Sequence, residues 1–410
     1  MSDNKLDVKR ILFLSFGFFA SSLAWSIYNA FVPQMLEKYI ASAATLGFIM
    51  TIDNIFGVIF QPLFGRWSDK TRTRFGRRMP FIMIGIPICA AAFILIPHMS
   101  GLWPLMAMLI VFTFVMSAWR SPVVSLMPDI TPGPLRSQAN GIVNLMGGVG
   151  SLLAFAGGGL LFKLGGFPLP FLMSAILMLA ALAVLMIFVR EPQQAYKPDA
   201  QDEKTKIALS KGEKQSLLLV LFGVFFWFTG YSAVEAFFTL YATNTLGVDE
   251  GSAAMTLAIF SLTLIAFAVP SGFIGAKIGR RKTILIGLCG ITAIFIPMIM
   301  ISNIWVTRVC LFFGGLFWAC VNINSLPMVV RLAADGKIGT FVGYYYFFSF
   351  ASQIISPITF GFLKDLVGHY RVLFLYACIA FALAIICLFF VRHGEEEPQP
   401  FSATEALDNL

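Results

Sequence analysis

Charge is what this 410-residue chain has least of: Asp, Glu, Lys and Arg together make up 12% of it, against about a quarter in an ordinary soluble domain. With 58% hydrophobic residues and a mean hydropathy of +0.83, a water-soluble globular fold is excluded. Histidine is scarce. The three present (His98, His369, His393) fall in loops or the tail, and no Ser-His-Asp, His-rich or phosphate-loop constellation accompanies them, so no enzyme activity, metal or cofactor is expected. Six cysteines (Cys89, Cys289, Cys310, Cys320, Cys378, Cys387) lie inside apolar runs, with no C-x-x-C spacing and no neighbouring histidine. They read as small buried hydrophobes, which leaves neither a disulfide framework nor a zinc site. A cleavable signal peptide is not expected, because the apolar run from Ile11 is too long and lacks a cleavage site.

What the chain has instead is long apolar runs. Twelve are of spanning length, with approximate limits 10–36, 42–64, 79–98, 102–127, 138–162, 168–189, 216–243, 252–275, 283–301, 303–328, 340–363 and 370–391. The net charge of +8 would by itself allow nucleic-acid binding, but the cations sit in short loops between these runs. Membrane topology accounts for them, and no nucleic acid is expected. Of the 29 Lys and Arg, only Lys38, Lys163, Lys364 and Arg371 fall on one side, with Arg120 and Arg308 inside spans; all the others collect on the opposite side. That cation-rich side is the cytoplasmic one, and an even number of spans puts both termini there. Hydrophobicity collapses between Arg190 and Gln215. The expected organisation is an amino-terminal six-helix bundle (1–189), a cytoplasmic linker (190–215), a carboxyl-terminal six-helix bundle (216–391) and a disordered cytoplasmic tail (392–410).

Charge is densest in QPLFGRWSDKTRTRFGRRMPFIMIG, residues 61–85. One apolar segment ends at Phe64, a loop with Arg66, Lys70, Arg72, Arg74, Arg77 and Arg78 follows, and another segment starts at Pro80. This is a short hairpin between membrane helices, kept out of hydrocarbon because each Lys or Arg would cost about 2.5–3.5 kcal/mol at a helix centre. Gly65 and Gly76 allow close helix approach, and Asp69 can accept hydrogen bonds from an arginine. Gly76-Arg77-Arg78 is echoed by Gly279-Arg280-Arg281, and Pro128, Arg136 and Gly141 more faintly by Pro327, Lys337 and Gly343. Such a repeat implies two bundles related by an axis along the membrane normal, with a cavity between them. Gly65, Asp69, Arg72, Gly76, Arg77 and Arg78, with Gly279, Arg280 and Arg281, form the expected conformational gate motif.

The spacing G-x-x-x-D-(x)6-G-R-R resembles the loop between helices 2 and 3 of the major facilitator superfamily. The longer pattern Q-P-x-x-G-x-x-S-D-(x)5-F-G-R-R-x-P-F is similar to the sucrose/proton symporters of plants and their animal relatives. More loosely, it resembles the glycoside-pentoside-hexuronide cation symporters. In SAWRSPVVSLMPD (117–129), Arg120 looks like the helix-4 arginine that the sucrose symporters carry and that is implicated in substrate and proton coupling. GFFASSLAWSIYNAFVP (17–33) is similar to their first helix. The resemblance covers most of the amino-terminal half and only the general pattern of the other. Melibiose-type carriers keep two helix-2 aspartates where this chain has Gln61 and Gly57, so the cation site of that sodium-coupled branch is not reproduced and the resemblance points to proton coupling.

Ionisable residues inside a bilayer are costly and so are functional candidates. Asp53 lies near the middle of span 2, Arg120 in the inner half of span 4, Glu235 in the outer half of span 7 and Arg308 near the outer mouth of span 10. Burial and a pairing arginine act on a carboxyl group in opposite directions, which suits Asp53, Glu235 and Arg120 to proton coupling. The plainer reading is a permanent Asp53–Arg120 ion pair and a Glu235 that reaches external water; Arg308 reads as a snorkelling side chain. Sugar hydroxyls call for amides and aromatic platforms, and the spans supply Trp25, Tyr28, Asn29, Asn54, Trp119, Arg120, Asn144, Trp227, Tyr231, Asn322, Asn324 and Gln353. In a chain with 15% aromatic residues, any single ring is more often packing than ligand platform. Glycines 147, 148, 150, 157, 158 and 159 mark a tightly packed span 5, and Pro122, Pro270 and Pro357 are expected to kink spans 4, 8 and 11.

The expectation is an all-α membrane protein of the major facilitator fold, a monomer in the plasma (cell inner) membrane surrounded by lipid. It would work as a secondary active transporter, a proton-coupled symporter of a glycoside or disaccharide operating by alternating access, with the proton as coupling ion. Two rivals stand beside it: a proton-coupled antiporter exporting drugs or amphiphiles, and a receptor or scaffold that no longer transports.

Overall fold

The computed structural model describes residues 7–132, 135–191, 210–332 and 338–392. Most of the expected linker (190–215), His393 and the tail after Arg392 lie outside the described residues. The order is α1 (Val8–Glu37), α2 (Ala43–Met50), α3 (Ile52–Lys70), α4 (Met79–Leu95) with a 3-10 turn at Ile96–His98, α5 (Leu102–Ile130), α6 (Arg136–Gly165) and α7 (Pro168–Phe188). The second half follows with α8 (Lys211–Leu246), α9 (Glu250–Ile278), α10 (Arg280–Met300), α11 (Ile304–Arg331), α12 (Ile338–Val367) and α13 (Val372–Phe389). Twelve spans are long and apolar enough to cross a bilayer, and they match the hydropathy runs to within a few residues at most ends. All six cysteines are free, as their placement in apolar runs implies, although Cys289 is exposed rather than buried.

The second span is where the structure departs from the sequence reading: it is two helices, not one. Thr51 separates α2 from α3; its hydroxyl donates to the Phe48 carbonyl at 2.7 Å, and its own carbonyl then accepts from Ile55 N–H at 3.0 Å to start the next helix. Asp53 therefore stands in the first turn of α3, where the peptide dipoles point their positive ends. A short polar side chain that bonds local backbone competes with an uninterrupted helix, and Thr51, Asp53 and Asn54 supply three of them in a row of four.

Glycines set the closest packing. A Cβ on Gly150 would lie 2.5 Å from the Phe19 carbonyl oxygen, on Gly158 2.7 Å from Ile27 Cδ1 and on Gly147 3.0 Å from Ser22 Oγ, so these three let α6 press against α1. Gly159 faces the other way, with the Gly251 carbonyl at 2.5 Å from its would-be Cβ. In the absence of a hydrophobic driving force within lipid, such close dispersion contact is what holds helices together. Packing divides the chain into two compact units. The first joins the amino-terminal helices to Ser232–Ser261 and Gln353–Leu373; the second contains Leu262–Ser352 and the chain from Phe374, together with the stretch ending at Tyr231. The helices α8, α9 and α12 thus contribute one stretch to each unit.

Within the first unit, the cation-poor end is tied down by polar contacts. The Asp365 carboxylate accepts from Ser42 Oγ (2.7 Å), Ala43 N–H (2.8 Å) and Ala44 N–H (3.0 Å), capping the start of α2. Glu37 accepts from Asn244 Nδ2 at 3.0 and 3.1 Å and from the Tyr370 hydroxyl at 2.9 Å. Burial first, and the Glu37 carboxylate second, push Tyr370 well above the ordinary tyrosine value, so the phenol keeps its proton and donates. Lys163 and Asp249 lie 3.9 Å apart.

Candidate functional site

Asp53 is the centre of the candidate site. Its Oδ1 accepts from Asn54 N–H at 2.7 Å and from Asn54 Nδ2 at 3.0 Å, so the neighbouring amide orients the carboxylate. The charges of Glu235 and Arg120 both reach it, and its own field reaches the buried hydroxyl of Tyr28. Residues from α1, α3, α5 and α8, far apart in sequence, are thereby gathered into one electrostatic neighbourhood inside the first unit. Asp53, Arg120 and Glu235 are each half-buried. Two carboxylates and one guanidinium carry a net charge of −1 when all are ionised, and a single proton brings that to zero.

Around this group, Trp25 is partly buried and meets Tyr28 and Phe112 edge-on at 5.5 and 5.7 Å, while Tyr28 stacks on Phe112 at 5.7 Å. Asn29 and Gln353 are half-buried, and Asn144 is exposed with its amide donating to the Asn140 carbonyl of its own helix at 2.9 Å. Trp119, also expected as a ligand platform, is enclosed by packing. It is wholly buried, packed on Gly85 and donating to Cys89 Sγ at 3.3 Å, because α4 and α5 close over it.

In the second unit, Tyr231 stacks on Trp318 with centroids 4.4 Å apart and planes 3° from parallel, and Asn322 is half-buried. Trp227 and Asn324 are fully buried. Asn324 spends its amide donors on the carbonyls of Ser271 (3.1 Å) and Cys320 (3.0 Å), tight against Gly275, so it glues α11 to α9 rather than facing a ligand. Arg308 lies with its guanidinium 4.7 Å over the Trp305 ring near the helix start, as a snorkelling side chain does.

The loop after α3 forms a carboxylate-lined clasp. Gly76, at φ 105°, closes a tight turn with Thr73 and leaves no room for a Cβ beside Glu191. Arg78 reaches Asp69 (2.5 Å), Asp129 (3.0 Å), the Gly65 carbonyl (3.2 Å) and the Ser68 hydroxyl. Arg77 pairs with Asp129 at 2.7 Å and Glu191 at 3.5 Å. Glu191 also accepts from Arg78 N–H at 2.8 Å, at the start of α4. Arg72 turns back on the carbonyls of Asp69 (2.6 Å) and Thr71 (2.9 Å). In the second half, Gly279 (φ 98°) precedes α10, and Arg281 donates to the carbonyls of Leu388 (2.9 Å) and Phe389 (2.8 Å). Sequence reasoning passed over Asp129, Glu191, Glu37 and Asp365. Each stands at a helix end, where a charge reads as ordinary topology, and only its position beside a distant partner singles it out.

The family model described as Major Facilitator Superfamily matches residues 14–258 and 220–407. Among curated relatives, a class H tetracycline resistance protein of Pasteurella multocida is 25% identical, over 88% of this chain and 90% of its own length. Multidrug resistance protein 2 of Bacillus subtilis is 26% identical over 89% and 90%. A sucrose transport protein of Arabidopsis thaliana is 24% identical over 33% of this chain and 26% of its own. Among solved structures, a bacterial homolog of the human lysosomal transporter Spinster, inward-facing and occupied, superposes with a TM-score of 0.69 at 14% identity, covering 94% of both chains. The nucleoside transporter NupG gives 0.69 at 12% identity, covering 92% and 98%. A twelve-span helical fold, a charged clasp after the second span and a family match across nearly the whole chain converge: this protein belongs to the Major Facilitator Superfamily, multi-pass membrane transporters of small molecules and not enzymes.

Proposed function

We propose that this transporter is a proton-coupled symporter of a sugar or small glycoside in the plasma membrane. The observation that carries the reading is Asp53 at the head of α3, within the fields of Arg120 and Glu235. One proton cancels the net charge of that trio. A neutral site crosses a low-dielectric barrier far more cheaply than a charged one, so the protonated, loaded carrier reorients and the ionised one waits. A proton-motive force of about 150 mV is worth about 3.5 kcal/mol per charge, enough for a gradient of roughly 300-fold; one proton suffices. Half-buried amides and a ring in the first unit, Asn29, Asn54, Gln353 and Trp25, are the chemistry that holds hydroxyls and a sugar face, and the second unit carries the same chemistry of its own in Asn322 and the Tyr231–Trp318 stack. The partial likeness to a sucrose transport protein, over a third of this chain, supports the same substrate class.

The second reading is proton-coupled drug export, favoured by relatives named for tetracycline and multidrug resistance that align along about nine-tenths of both chains. Purified protein in proteoliposomes separates the two. Under an inward proton gradient, uptake of one member of a panel of labelled mono- and disaccharides above its equilibrium level is expected, and Asp53→Asn or Glu235→Gln should abolish that accumulation while leaving counterflow. Failure of every sugar, together with gradient-driven extrusion of tetracycline, would replace the symport reading with the export one.

A further inference from the structure

The start of α2 is capped from another helix. Its first two N–H groups, at Ala43 and Ala44, are among the four that a helix start leaves without internal partners, and both donate to the Asp365 carboxylate of α12, at 2.8 and 3.0 Å. Ser42 joins them: its hydroxyl donates to Asp365 at 2.7 Å and accepts from Thr45 N–H at 3.2 Å. Asp365 is thus an N-cap supplied from 321 to 323 positions along the chain, with the Lys364 ammonium 3.6 Å away beside it. The Glu37 bonds at the same end go to Asn244 and Tyr370 and leave α2 to Asp365.

Below the cap, the two helices touch backbone to backbone. A Cβ on Gly361 would run into the Ala43 carbonyl, and one on Gly47 into the Pro357 carbonyl. Ala43 and Gly47 are about one turn apart on α2, while Pro357, Gly361 and Asp365 stand at i, i+4 and i+8 on α12. The seam is therefore antiparallel, and it stops one turn short of Thr51. There α2 ends: Thr51, fully buried, donates its N–H and its hydroxyl back into α2, and its carbonyl opens α3, with Asp53 two residues on. Eight residues of helix measure about 12 Å, a short rod with the Asp365 cap at one end and the joint to the Asp53 turn at the other. The cap bonds are charge-assisted, yet two of the three are open to solvent, so water can take them over when the helices part.

We propose that Asp365 is a positioning residue of the transport cycle: it latches α2 against α12 at the cation-poor end, and its release lets α2 swing about Thr51, opening that end and turning the first turn of α3 with Asp53. The bearing on Asp53 rests on the proton-coupling reading above; the latch itself serves any substrate.

The test first reads α2 without a substrate. In lipid nanodiscs, with the six native cysteines replaced by alanine, Leu46→Cys (Leu46 is 1% exposed) should react with a charged maleimide about tenfold faster once Asp365→Ala is added, equivalent to about 1.4 kcal/mol and within the range of a lost N-cap. Asp365→Asn, which keeps an acceptor, should return most of the closure. Gly361→Ala, which pushes on the Ala43 carbonyl and leaves Asp365 in place, should speed the reaction as well. Ile52→Cys, at the half-buried start of α3, should follow Leu46→Cys, whereas Ala175→Cys, fully buried in α7, should not change. Transport gives the second reading. For the sugar that the wild type accumulates, offered at the cation-poor side, Asp365→Ala should lower KM by up to about tenfold, because more of the carrier is open to bind, and should slow kcat. Labelling of Leu46→Cys unmoved by Asp365→Ala and Gly361→Ala, an equal rise at Ala175→Cys, or a KM that holds while kcat falls would each overturn the latch. A rise at Leu46→Cys without one at Ile52→Cys would overturn the link to Asp53. If the wild type moves sugar without protons, the coupling reading fails, and the labelling still decides the latch.

Discussion

The two arginine-bearing turns, Gly76-Arg77-Arg78 and Gly279-Arg280-Arg281, share a backbone and differ in what they hold. Both glycines take a positive φ, 105° and 98°, Gly76 three residues ahead of α4 and Gly279 directly before α10. In the first turn the guanidinium groups meet Asp69, Asp129 and Glu191. In the second, Arg281 finds the carbonyl ends of α13. The two copies share a positive-φ glycine and an arginine that donates to backbone carbonyls; among the described contacts the carboxylate partners on view belong to the first copy. The first turn is thus a clasp between guanidinium groups and carboxylates, the second a charge-assisted cap on the carbonyl end of α13.

The largest effect expected from breaking this contrast is at Arg78. Removing it as Arg78→Ala leaves Asp129 and Ser68 without a shared buried partner and should cost about 3–5 kcal/mol, whereas Arg281→Ala gives up two charge-assisted bonds to carbonyls and should cost about 1.5–3 kcal/mol. Thermal unfolding in detergent measures both, and equal losses would mean that the carboxylates add nothing. Next come the glycines. An alanine at either position suffers about 1–2 kcal/mol of left-handed strain, but at Gly76 it also collides with Glu191. Gly76→Ala should therefore be the more damaging, and adding Glu191→Ala should reduce its excess over Gly279→Ala; an excess untouched by that second change would place the collision elsewhere.

The smallest effect is expected at a carboxylate outside both turns. Burial pulls Asp249 upward, but the Ser252 hydroxyl and N–H, with Lys163 beside them, outweigh it and hold the group below the ordinary aspartate value. A depressed folded value means stability that is fully present above the unfolded pKa, about 3.9, and lost as pH falls through the folded one. Melting temperatures of wild type and Asp249→Asn should differ above about pH 4 and converge below it. A difference that stays constant down through that range would argue against the ionised carboxylate as its source.

Hydropathy made the spans legible to within a few residues at most ends, because about twenty apolar side chains in a row are driven out of water, and the same logic singled out Asp53, Arg120 and Glu235 as charges needing a reason. That Trp119, Trp227 and Asn324 are fully buried was not legible, since nothing in a helical run says whether a ring or amide faces a cavity or another helix. The interruption at Thr51 was equally hidden: it falls in an apolar span and is marked only by local side-chain bonds of Thr51 and Asp53 to backbone.

Composition and periodicity alone determined that this chain crosses a bilayer about a dozen times and where its cations collect, because transfer of each segment from water is a local, additive property of its side chains. Which carboxylate answers which arginine and the gathering of Asp53, Arg120 and Glu235 from three helices were decided by tertiary structure. Those depend on helix rotation and depth, and the free energy that sets them lies in contacts between residues up to hundreds of positions apart.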